Sequence, residues 1–301
     1  MIRKAEVPMM IDGHVHLMPG RVRQDRTPFC EADPAFGSLY RSPKARLASE
    51  NDILQYLDSS GIAKAVVFGF PWEDSDLIRR NNDEVWEFHQ RAPDRIVPFA
   101  VLSAQGGEAA FREAERTVGR GFAGLGELAV YQHGWTEDHF ASLAPTLTLA
   151  GKAEVPVMIH INEPVGHHYP GKVPVDFSAL LHTIERNPEV DFILAHFGGG
   201  VFVYGLMPEI KRILERTYLD TAASPFLYDA DVYEIASRIM GPEKILFGSD
   251  FPLLGIARYL KEFEKVRISE ALRESILGGN MQRLLGKSGA VAPSNAPGRE
   301  G

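Results

Sequence analysis

Eight short apolar runs recur along the chain: MMIDGHVHL (9–17), AKAVVFGF (63–70), RIVPFAVL (95–102), FAGLGEL (122–128), PVMIHI (156–161), DFILAHF (191–197), TYLDTA (217–222) and ILFGSD (245–250). Where longest they are almost continuously apolar, the pattern of parallel strands covered on both faces. Between them lie stretches with apolar positions three and four apart, among them 51–61, 76–91, 108–121 and 176–187. Several end at Gly or just before Pro, as helices do. Strands alternating with helices imply right-handed crossovers, and eight such units close most simply into an α/β (β/α)8 TIM barrel, read here as one domain over 1–287. An open doubly wound sheet is the alternative. The glycines at 198–200 follow the sixth strand and make no GxGxxG, which weakens its dinucleotide-binding version. Residues 18–48, rich in Arg, Pro and small residues, read as a long loop above the barrel, and 288–301 as a disordered tail.

Bulk properties narrow the setting. The chain has 301 residues, 45% apolar and 24% charged, an ordinary composition for a globular protein. A net charge of -8 gives no basic footprint, so nucleic acid is not an expected partner. One cysteine, Cys30, builds no disulfide framework, MIRKAEVP has no long apolar core, and no stretch approaches the ~20 apolar residues that span a bilayer. The expectation is a cytoplasmic protein without a membrane segment, dimerising if at all through its outer helices.

The unusual residues cluster at one end of the strands. His14 and His16 close the first, Glu127 the fourth, His160 the fifth, His196 the sixth and Asp250 the eighth. The C-terminal ends of barrel strands open onto one face, so six potential metal ligands converge there. His14 and His16 share a face because strand side chains alternate, while Val15 points toward the helices. Imidazole nitrogen and carboxylate oxygen suit a divalent ion, Zn2+ first and Mn2+ second, with a position open for catalysis. Asp250 beside an ion is a natural base. His89 and His182, on predicted helices, read as structural. Trp72, Tyr131, His133, His167, His168, Ser224 and Phe226 follow strands and are candidate pocket residues. Arg21, Arg23, Arg26 and Arg41 could meet a substrate carboxylate, although an Arg-rich loop is more often solvated.

Together the motifs resemble the amidohydrolase superfamily, in its amidohydrolase-2 branch, which includes aminocarboxymuconate semialdehyde decarboxylase. DGHVHL is similar to the branch's HxH, MIHI and LAHFGGG to its histidine motifs, LFGSDFP to its strand-eight Asp, and ILGGNMQRLLG to its closing helix. The resemblance implies His14, His16, His160 and Asp250 as ligands and His196 as an acid/base or electrophilic group. Glu127 in GLGEL lies where binuclear members of the superfamily place a bridging carboxylate, and is similar to the GE of TatD-type deoxyribonucleases. With that bridge, His160 and His196 would hold a second ion. The complete HxH, Glu, His, His, Asp set puts hydrolysis of a small carbonyl substrate first. Non-oxidative decarboxylation of an aromatic or muconate-type acid is the alternative, and a nuclease or non-catalytic metal-binding barrel comes behind both.

Overall fold

Alternation within the strands sorts the apolar side chains of this computed structural model into two layers. Val66, Phe68, Val97, Phe99, Met158, Ile193 and Leu246 belong to one buried cluster, while Ala65, Val67, Ile96, Val157, Ile159, Phe192 and Leu194 belong to a second that includes the surrounding helices. The structure describes residues 9–103 and 106–287. Eight parallel strands follow in chain order: β1 (Ile11–His16), β2 (Lys64–Phe68), β3 (Ile96–Ala100), β4 (Gly124–Leu128), β5 (Val157–Ile159), β6 (Phe192–Leu194), β7 (Thr217–Asp220) and β8 (Ile245–Leu246). This is the expected (β/α)8 barrel. The tail at 288–301 and the N-terminal eight residues lie outside the described part.

Closure between β8 and β1 depends on a few specific bonds. Gly13 N–H donates to the Phe247 carbonyl at 2.8 Å, Asp250 N–H to that of His14 at 3.0 Å, and His16 N–H to that of Phe251 at 2.8 Å. Buried Asp12 adds a clasp: Oδ1 accepts from the N–H groups of His14 (3.1 Å) and Ser249 (2.9 Å), and Oδ2 from the Tyr56 hydroxyl (2.8 Å). Burial pushes its carboxyl up to about 6, against the lowering effect of these donors.

The predicted helices form where their signals lie. Glu50–Ser60 opens on a Ser49/Asp52 capping box and ends at left-handed Gly61. The expected loop at 18–48 instead carries three short helices, Gly20–Gln24, Thr27–Ala32 and Pro34–Tyr40. Proline occupies the first turn of the latter two, and Asp33 caps the last by accepting from Phe36 N–H at 2.9 Å. Phe36 then packs on Phe70 and Trp72, with ring centroids 5.3 and 4.5 Å away. None of the described helices is long and apolar enough to cross a membrane.

Candidate active site

Two strand irregularities coincide with site residues. The β1–β2 register shifts between Asp12 and Val15, around His14, and the β4–β5 register between Leu125 and Leu128, around Glu127. Such bulges re-aim side chains, and they recur beside active sites. Gly126, at φ +127°, is obligatory in the second: a Cβ there would lie 2.5 Å from the Met158 carbonyl oxygen. His196 and Asp250 adopt φ of +57° and +62°, a conformation uncommon for non-glycine residues and frequent where function constrains the backbone. Phe197 to Gly200 continue left-handed beyond His196, turning the chain away. In that turn a Cβ on Gly199 would stand 2.3 Å from the Asn162 carbonyl oxygen.

All six predicted ligands meet at the barrel mouth, sorted into two triads. His14, His16 and Asp250 form one and Glu127, His160 and His196 the other, with the donor atoms of each within 4.8 Å of one another. In the first, His16 Nε2 and His14 Nε2 lie 3.3 and 3.9 Å from Asp250 Oδ1. In the second, Glu127 Oε1 lies 3.0 Å from His160 Nδ1 and 3.4 Å from His196 Nε2, and the two imidazole nitrogens are 2.9 Å apart. Glu127 Oε1 is also 3.8 Å from His14 Nε2, which puts this carboxylate between the triads.

The donor set suits a divalent ion. His14 Nε2 is buried without a hydrogen-bond partner, yet it faces two carboxylates across the cluster. An orphaned buried nitrogen is costly unless it is a ligand. The ring nitrogens turned away from the cluster have acceptors: Asp220 Oδ2 for His14 Nδ1 (2.8 Å), the Gly69 carbonyl for His16 Nδ1 (3.3 Å) and the Ala222 carbonyl for His196 Nδ1 (2.9 Å). This is the outer support that metal-binding histidines use.

Charge balance in the cluster overcomes burial. Burial opposes charge on His14 and His196, but Asp220 and Glu127 lift His14 to about 10, and Glu127 lifts His196 to about 9. Burial likewise opposes ionisation of Glu127 and Asp250, yet the histidines hold Glu127 well below the carboxylate range and Asp250 at about 2. In the metal-free chain at neutral pH both imidazoles therefore carry a proton where an ion would bind. Metal uptake is accordingly expected to release protons, and apparent affinity to rise with pH up to about 9 to 10. Titration calorimetry in buffers of different ionisation enthalpy checks this, and pH-independent uptake would contradict it.

A cavity of about 460 Å³ opens onto the cluster. Of the predicted pocket residues Tyr131, His167 and Phe226 line it. Trp72 and Ser224 do not: both are buried, Trp72 Nε1 donating to Asn81 Oδ1 and the Ser224 hydroxyl pairing with that of Tyr233. His133 and His168 are outside the lining too. The four arginines hold the chain after β1 together instead: Arg26 donates to the carbonyls of Tyr40, Ser42 and Ala45, Arg41 to that of Cys30, Arg23 to that of Met18, and Arg21 stacks on Phe29. His89 is structural as expected, its Nδ1 2.7 Å from the Ile96 carbonyl. Sequence reasoning missed Tyr40, Arg46, Asn162 and Tyr169 in the lining. Burial and the nearby Glu127 and Asp250 charges push the Tyr40 and Tyr131 phenols up, so both stay neutral donors.

A parallel barrel with two triads of potential metal ligands at its mouth narrows the class of protein, and comparison with known proteins gives the family. Residues 11–287 match the amidohydrolase family, to which the chain belongs. Gamma-resorcylate decarboxylase of a Polaromonas species is 26% identical over 290 residues, covering 80% of this chain and 86% of that one. The fold is shared with 5-carboxyvanillate decarboxylase from Sphingomonas paucimobilis (TM-score 0.75, 15% identity, 93% and 99% of the two chains). It is shared too with a Polaromonas dihydroxybenzoic acid decarboxylase solved with manganese and 2-nitroresorcinol (TM-score 0.69, 20% identity, 93% and 97%).

Proposed function

We propose that this amidohydrolase-family enzyme is a divalent-metal-dependent, non-oxidative decarboxylase of a small hydroxylated aromatic acid. The observation that carries the reading is the likeness to gamma-resorcylate decarboxylase over most of the chain, joined to a ring-sized cavity opening on the ligand cluster. It reverses the order of preference from sequence, where the complete ligand set put hydrolysis first. That set serves either reaction, because both need a substrate oxygen polarised, whereas the named relatives are decarboxylases.

His14, His16 and Asp250 would hold one ion, and Glu127, His160 and His196 a second. The chemistry a bound divalent ion supplies is Lewis-acid polarisation of substrate oxygens and neutralisation of their charge. Leu39, Tyr40, Tyr131 and Phe226 offer walls for a planar ring, and Arg46 is the one Arg or Lys among the lining residues, matching an anionic substrate. Asp250 is the least enclosed of its triad, its side chain 15% exposed, and lines the cavity. Ionised, it takes a proton from the substrate hydroxyl or solvent and returns it to the ring carbon bearing the carboxylate. The bond to the carboxylate then breaks, its electron pair returns to the ring and restores the aromatic system, and CO2 leaves.

The test is turnover of 2,6-dihydroxybenzoate and 5-carboxyvanillate by protein loaded with Mn2+ or Zn2+, run in D2O. The expected result is CO2 release with one deuterium at the vacated ring carbon. Turnover of lactones or amides with water oxygen in the product, and no CO2 from the acids, would overturn the reading and restore hydrolysis.

A further inference from the structure

We infer that Asp220 is a positioning residue that serves both triads with one carboxylate: it fixes which nitrogen of His14 faces the cluster, and it pins the main chain at His196. The inference rests on the reading of the triads as metal sites. Asp220 ends β7, fully buried in a strand whose four residues are all buried. Its Oδ2 lies 2.8 Å from His14 Nδ1, while Oδ1 accepts from the N–H groups of His196 (2.9 Å) and Ala222 (3.0 Å).

A carboxylate in this environment only accepts, so the contact keeps the His14 proton on Nδ1. The proton that an arriving ion displaces is therefore the one on Nε2, the nitrogen without a hydrogen-bond partner, whose lone pair then faces the cluster. His16 and His196 receive the same instruction from main-chain carbonyls, which no side-chain substitution removes. His14 alone of the three takes it from a side chain. The second bond acts on the other triad. His196 holds φ +57°, and its N–H is tied to the same carboxylate that orients His14. The two triads are therefore set by one buried group rather than independently.

A purely structural role, satisfying two buried N–H groups, makes a different prediction from a positioning role, and Asp220→Asn separates them. The asparagine oxygen still accepts from His196 and Ala222, but its amide donates toward His14 Nδ1. Nδ1 then has to accept, so the neutral His14 ring keeps its one proton on Nε2, where it blocks ligation. The experiment titrates Mn2+ into metal-free wild type and Asp220→Asn, with the thermal midpoint of each metal-free protein as the check on folding. The expected result is Mn2+ affinity weakened about 10- to 100-fold at a near-unchanged midpoint, with activity recovering as Mn2+ is raised. Asp220→Ser, whose hydroxyl can donate as well as accept, is the second variant and should weaken uptake in the same direction. Equal affinity in wild type and both variants would overturn the role of Asp220 and leave the metal reading standing. A wild type that takes up no divalent ion would overturn the metal reading, and this inference with it.

Discussion

Asp250→Asn is expected to slow decarboxylation by about 1,000- to 10,000-fold with the fold intact. The change preserves side-chain size and, unusually, backbone preference. Asp250 sits at φ +62°, and asparagine is among the residues that tolerate this left-handed conformation best. What it removes is a charge with two uses. The carboxylate is held at about 2 because His16, His14 and His196 together outweigh the burial that opposes its ionisation. It is thus ionised at neutral pH and has room for a proton, whereas asparagine cannot carry one to a ring carbon. The same oxygen lies 3.3 Å from His16 Nε2, so the variant also offers a weaker ligand. Raising Mn2+ to saturation separates the two losses: occupancy returns, turnover does not. Near-wild-type turnover at full occupancy would assign the proton transfer elsewhere, with the His196–His160 pair next in line.

The barrel was legible in the sequence because its strands are buried on both faces and so read as apolar runs. The six residues of the cluster were legible for a related reason. A histidine or carboxylate at the end of an apolar strand has little structural explanation, and the C-terminal ends of barrel strands share one face. Asp220 met the same criterion in TYLDTA and went unremarked, because a lone acid has no motif partner nearby in sequence: its contacts are with His14 and His196, brought together only by closure of the barrel. The cavity wall was the least legible part. Tyr40 and Arg46 lie in the stretch read as a solvated loop, where Asp33-Pro34 and Thr27-Pro28 were the available helix-start signals. Trp72 and Ser224 follow strands as pocket residues do, but each spends its polar atom on a buried neighbour, Asn81 and Tyr233. Sequence places a residue near the mouth, while packing decides whether it faces in.

On the proposed two-ion reading, Glu127 decides the number of ions. Its carboxylate is buried and well below its ordinary range, since burial is outweighed by His160, His14 and the hydrogen bonds from His160 and His196. One oxygen approaches histidines of both triads, at 3.0, 3.4 and 3.8 Å. Removing that charge should release the second triad's ion first, because Glu127 is its only carboxylate whereas Asp250 remains in the other. Glu127→Gln is therefore expected to lower metal content from two ions per chain to one and to reduce turnover by roughly 100-fold or more, the scale of a lost charge-stabilising ion. Elemental analysis after equilibration with Mn2+, beside wild type, reads the first number, and CO2 release the second. Two ions in the variant, or one in both proteins, would remove Glu127 from the ligands. The result of one ion in both would also leave His196, lifted to about 9 by its Glu127 contact, as a proton donor instead of a ligand. The amide in place of the carboxylate would then lower that imidazole toward its ordinary range, and the alkaline limb of the turnover profile would move to lower pH.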